Sequence, residues 1–87
     1  MPEKEGFRPR TIDEKILRVM LIGRDAGDPW GRMSPGMIVD SLDRDVSDAY
    51  IVNRLSMLNA SGHVIKRAKG VYEITDQGIG EVEPDEE

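Results

Sequence analysis

The strongest constraint on this chain is a pair of helix starts set almost end to end. Ser34-Pro35 is an N-cap followed by proline at the first helical position, where a missing N–H is harmless. Met33 before the cap and Ile38 at the fourth helical position are spaced as a hydrophobic staple. Ile38, Val39 and Leu42 give this helix an apolar stripe to about residue 42. Asp43-Arg44-Asp45 is a tight turn, and the start signal repeats at once. Ser47 is the cap, Val46 and Ile51 form the second staple, and Asp48 suits the positive end of the helix dipole. This helix is expected over 48–60, with Ile51, Val52, Leu55 and Leu58 facing inward, and ends at Ser61-Gly62, glycine supplying the left-handed cap. Two helices so closely joined form a helix-turn-helix.

The flanking segments complete a unit. Thr11-Ile12-Asp13-Glu14 fits a capping box opening a first helix, expected over about 12–22 and stopped by Gly23. Gly23 to Gly31, GRDAGDPWG, is a loop holding the only tryptophan, Trp30, placed at a core edge or an interface. Beyond Gly62 the period becomes that of strands. Val64–Arg67 and Val71–Thr75 are rich in β-formers and joined by Ala68-Lys69-Gly70, a hairpin with a basic tip. Gly31–Met33 is a candidate short strand beside it. His63 follows the helix cap and is expected to be structural, in contact with the helix it leaves. Thr75 caps a last short helix that Gly78 and Gly80 each weaken by roughly 1 kcal/mol relative to alanine. The expected fold is mainly α with a small β-hairpin: a winged helix-turn-helix over 11–82, between a flexible arm, 1–10, and an acidic tail, 83–87.

Composition narrows the chemistry. With no cysteine and one histidine, the chain offers neither a disulfide framework nor a multi-histidine or thiolate metal site, and no metal or other cofactor is implied. It lacks a long apolar run, and its start lacks the apolar core of a signal peptide, so the expectation is a cytoplasmic protein with no membrane partner. No nucleophile–base constellation suggests an enzyme or a small-molecule substrate. Seventeen acids against twelve bases give a net charge of −5, but five of those acids lie in the last seven residues, EVEPDEE. Eight of the bases are arginine and four are lysine. An acid-rich, arginine-biased chain is what a salt-loaded cytoplasm leads one to expect.

The helix 48–60 can be resolved by face. At about 100° per residue, Ile51, Leu55 and Leu58 cluster on one side, with Val52 at its edge. Ala49, Tyr50, Asn53 and Met57 lie opposite, flanked by Ser56 and Arg54. Asparagine bonds adenine bidentately, and alanine can touch a thymine methyl. Ser47, Tyr50 and Arg54 are suited to phosphates. Lys66, Arg67 and Lys69 put three bases at the hairpin tip, suited to phosphates or a minor groove. They equally suit a hairpin that blocks edge-to-edge pairing. Arg8 and Arg10 form either a minor-groove arm or a plain solvated end.

The stretch from Ser34 to Glu83 resembles the haloarchaeal winged-helix proteins of the phage phiH repressor-like group. The matching marks are Ser34-Pro35, Leu42-Asp43, Ser47, Tyr50, Arg54-Leu55, Leu58, Gly62, the G-V-Y-x-I-T run Gly70–Thr75, and Gly78; the likeness covers about residues 11–82. It is the order and spacing of these marks that carry it. The resemblance implies a regulator that binds double-stranded DNA with the helix 48–60 in the major groove and the hairpin 64–75 as wing. Three features depart from the group: a longer loop after the first helix, asparagine at 53 where a second arginine is frequent, and histidine at 63 where an aliphatic residue is usual.

Net charge argues against a polyanionic partner, since DNA-binding domains are typically basic. If about four phosphates are neutralised, the slope of log K is roughly −3.6, and going from ~0.15 M to ~2 M salt costs on the order of 10⁴ in affinity. At molar salt the Debye length is ~3 Å, so only charges in direct contact matter. The expectation is a sequence-specific transcriptional regulator, in particular a repressor, working as a homodimer on a two-fold site. The alternative is a winged-helix protein–protein interaction module using the Trp30 loop, Tyr50 and Met57 without binding DNA.

Overall fold

A computed structural model describes residues 9–27, 31–42 and 45–82. The arm up to Arg8, the Trp30 part of the loop, Asp43 and Arg44 of the turn, and the tail from 83 lie outside the described residues. Among the described residues, four α-helices and a hairpin follow in the order α1 (Thr11–Ala26), α2 (Pro35–Ser41), α3 (Asp48–Ala60), β1 (Val64–Lys66), β2 (Tyr72–Ile74) and α4 (Asp76–Val82). The chain is mainly helical with a small antiparallel hairpin, a layout compatible with a winged helix.

α1 begins one residue earlier than the capping-box reading, with Arg10 rather than Thr11 at the cap. The Asp13 carboxylate accepts the Arg10 backbone N–H at 2.7 Å, satisfying the reciprocal bond that the Thr11–Glu14 spacing had suggested one residue on. Gly23 does not end α1. The helix continues a further turn to Ala26, and Gly27, at φ 88°, ends it with its N–H directed to the carbonyls of Gly23 and Arg24. An internal glycine costs only about 1 kcal/mol, which the packing of Ile12, Ile16, Leu17 and Met20 outweighs.

The two serine caps form as expected. Ser34 Oγ accepts Met37 N–H at 3.2 Å, and Ser47 Oγ accepts Tyr50 N–H at 3.1 Å. Met33, Ile38 and Ile51 are buried in the core with Val46 packed against it, as the two staples require. α3 ends in a full Schellman motif: Gly62 at φ 89° gives its N–H to Asn59 O at 3.2 Å, and His63 gives its own to Leu58 O at 2.9 Å.

The strands are shorter than their β-rich runs. Val64 pairs with Ile74, Ile65 with Glu73 and Lys66 with Tyr72. Arg67 N–H to Val71 O, 2.7 Å, closes the tip, where Ala68–Gly70 turn through a left-handed Lys69 (φ 67°) and Gly70 (φ 74°). Met33 bonds Tyr72 in both directions, at 2.9 and 2.8 Å, so the weak strand signal at 31–33 becomes a single bridge on the free side of β2.

α4 packs on α1 and on β2. Gly78 makes this possible: a Cβ there would run into the backbone carbonyl of His63. Read from the sequence, Gly78 only weakens a helix; in the fold it admits one. Thr75 Oγ1 lies 2.6 Å from Gly62 O and 2.9 Å from His63 O while accepting Gly78 N–H at 3.2 Å, capping α4 and tying it to the end of α3.

Candidate nucleic-acid interface

α3 is held by four inward residues spaced i, i+3, i+4, i+7: Ile51, Arg54, Leu55 and Leu58. Two expectations are corrected here. Val52 does not face inward; it is 41% exposed. Arg54 does not flank the outer face; it is only 4% exposed and forks the carboxylate of Asp13 on α1, Nε to Oδ1 at 2.8 Å and Nη2 to Oδ2 at 2.6 Å. Its Nη1 lies 3.2 Å from Met57 Sδ. The hydrogen bond to Asp13, ahead of the opposing effect of burial, holds the guanidinium above the ordinary arginine value. The Arg54 guanidinium is therefore turned into the fold and is not presented on the outer face of α3. The reason is positional: residue 54 lies one turn after Ile51 and one before Leu58, at the centre of the buried stripe, and a buried carboxylate meets it there.

The remaining candidates on α3 are exposed. Ala49, Tyr50, Asn53 and Met57 all reach solvent, Tyr50 at 39% and Met57 at 40%. Ser47 is exposed too, with its oxygen engaged as the α3 cap and its hydroxyl hydrogen left to donate. With Arg54 internally neutralised, Asp48 is the one other charged side chain of the helix. The outer face is thus neutral, mixing amide, phenol, thioether and methyl groups.

The cations lie on the hairpin that follows. Lys66, Arg67 and Lys69 are exposed. Arg67 Nε donates to Glu73 Oε1 across the hairpin at 2.8 Å. The same oxygen is 3.7 Å from Arg32 Nε, so one carboxylate sits between two guanidinium groups. Arg32 is a cation that sequence reasoning missed; the Met33–Tyr72 bridge carries it to the hairpin, and the weak strand signal at 31–33 was the available clue.

His63 is buried at the hairpin root, as expected of a structural residue, but its contacts are polar. Nδ1 is 2.7 Å from Ser61 Oγ and Nε2 is 3.3 Å from Glu81 Oε1. It joins the α3 cap to α4 and gives the hairpin a fixed base. Among the described residues no group of histidine, cysteine, aspartate and glutamate is arranged to hold a metal ion, and no helix is long and apolar enough to cross a membrane.

Comparisons with protein-family models, with curated proteins and with solved structures find no match.

Proposed function

We propose that this chain is a winged helix-turn-helix transcriptional regulator that reads double-stranded DNA, in particular a repressor, with α3 in the major groove and the β1–β2 hairpin as wing. The observation that carries this reading is the juxtaposition of an exposed, mostly uncharged outer face on α3 with a hairpin, directly following it, whose exposed side chains include Lys66, Arg67 and Lys69. Asn53 and Ala49 supply base-edge chemistry, Tyr50 and Ser47 donate to phosphates, and the wing lysines anchor the backbone. The likeness to the haloarchaeal phage phiH repressor-like group supports the same reading. In this proposal Arg54 positions α3 and does not touch DNA.

The test is selection of bound fragments from genomic DNA across a salt series, followed by anisotropy titrations of the selected duplex. Asn53→Ala should cost about 1–3 kcal/mol on the preferred site and flatten sequence preference. Lys66→Ala should weaken all duplexes alike and reduce the salt slope by about 0.9. Failure to bind any duplex at low salt would sink the reading.

One observation favours a second reading. Tyr50, Val52, Met57 and Ile65 are each about 40% exposed, an unusual share of apolar surface for a face that meets only a polyanion. A winged-helix protein-interaction module would use this surface, and substitutions there would then abolish partner binding while DNA affinity stays absent.

A further inference from the structure

The fold treats the methionines of this chain unequally. Met20 and Met33 are sealed in the core, and Met37 is half-buried against it. Met57 is 40% exposed, more than any other methionine among the described residues. It lies one turn from Asn53 and two from Tyr50, within the outer face of α3. Its sulfur is engaged from below: Sδ accepts from Arg54 Nη1 at 3.2 Å. Arg54 is buried and fixed by its fork on Asp13, so the donor is a rigidly held cation aimed at a thioether.

A thioether is a weak hydrogen-bond acceptor, whereas a guanidinium makes its strong bonds to polar oxygen. One oxygen added to the sulfur supplies that acceptor. With hydrogen peroxide as oxidant, a sulfur lone pair attacks one peroxide oxygen, and the O–O bond breaks as the S–O bond forms. The departing hydroxide takes the proton of the transferred oxygen and leaves as water; the sulfur has lost two electrons and the peroxide has gained them. The Met57 side chain is open to such a small reagent, and rotation about its terminal bonds turns the new oxygen toward Nη1 without moving the helix. At Met20 or Met33 the same oxygen would be a dipole set among apolar side chains. We propose that Met57 is a peroxide-sensitive modification site whose sulfoxide is received by Arg54, so that oxidation makes the outer face of α3 more polar while tightening the fold beneath it. Methionine sulfoxide can be reduced enzymatically, which makes the change reversible.

This inference holds whatever partner that face meets, and its test needs none. Timed exposure of the full chain to hydrogen peroxide, followed by peptide mass mapping, should place oxygen on Met57 at least about ten times faster than on Met20 or Met33, with Met37 between. The chain oxidised at Met57 should melt about 2–5 °C above the parent, because a bond from a charged donor is strengthened, and the Arg54 Nε–H signal should move in NMR spectra. Met57→Leu is a near-isosteric change at an exposed position and should keep the fold. Treated alike, it accounts for oxygen added elsewhere and should show neither effect. Met57→Gln sets an amide oxygen at similar reach with similar helix propensity, so it should melt above the parent with no oxidant present. Oxygen appearing on Met20 or Met33 as early as on Met57, an oxidised chain that melts no higher than the parent, or a Met57→Gln variant no more stable than the parent would each overturn the proposal.

Discussion

The guanidinium of Arg54 and the carboxylate of Asp13 meet across α3 and α1 as a two-pronged pair, 2.8 and 2.6 Å, with both side chains almost wholly out of solvent. The same carboxylate accepts the Arg10 backbone N–H. One acid therefore closes the start of α1 and sets the angle of α3. Removing either partner strands a buried charge. Arg54→Ala or Asp13→Ala should cost about 3–5 kcal/mol in urea denaturation, whereas replacing both by apolar residues of similar volume should cost far less. An arginine held above its ordinary value contributes stability that is complete below its unfolded value and lost only as pH rises through the folded one. The stability curve should consequently show no loss from this pair between neutral pH and pH ~10.

The two glycines of α4 should respond in opposite directions. Gly80 has open space where a Cβ would go, so Gly80→Ala should stabilise by about 0.5–1 kcal/mol through helix propensity. At Gly78 the His63 carbonyl and the Ile74 side chain stand in the way. Gly78→Ala should lower stability by about 1–3 kcal/mol despite the same gain in propensity. Thermal unfolding of the two single variants checks both signs.

Glu73 restrains the hairpin's charge by engaging Arg67 and approaching Arg32. On the proposed function, Glu73→Gln should tighten binding to every duplex and steepen the salt dependence, whereas Arg67→Ala should have less effect than Lys66→Ala. Anisotropy titrations at several salt concentrations measure both. Unchanged affinity and salt dependence in all three variants would remove the hairpin from the contact.

At Lys69 the tip holds a non-glycine residue at φ 67°. Lys69→Gly should relieve that strain and raise stability by a few tenths of a kcal/mol to about 1 kcal/mol. It also deletes a cation, so on the proposed function DNA affinity should fall while the melting temperature rises. Calorimetry and anisotropy on one sample separate the two.

The parts of this fold set by local chemistry were readable from the chain. The caps at Ser34 and Ser47, the limits of α3, the glycine turn at Gly62 and the hairpin all rest on neighbours within a few residues, and they form where expected. What escaped was decided across the fold. Gly23 looks like a stop until the core packed against the rest of α1 is known. Gly78 looks like a defect until a carbonyl from another element approaches it. Arg54 looked like a surface arginine on a polar flank, although it holds the i+3 position of a buried stripe. Its partner left a clue as well: Asp13 sits in register with Ile16, Leu17 and Met20, and an acid on a core stripe calls for a buried cation. Of the candidate interface, the exposed positions on α3 and the hairpin lysines follow from periodicity, while the engagement of Arg67 and the arrival of Arg32 depend on strand register.

The contact at Gly78 has a mechanical meaning. The His63 carbonyl receives the Thr75 amide, lies near the Thr75 hydroxyl, and is overridden by α4, while the His63 amide finishes α3. Three elements thus share a single residue as a pivot, and none can tilt without dragging the others. Force applied to α4 should then reach the root of the hairpin and the tail of α3 as by a crank. α4 is in this sense a handle on the hairpin and on α3.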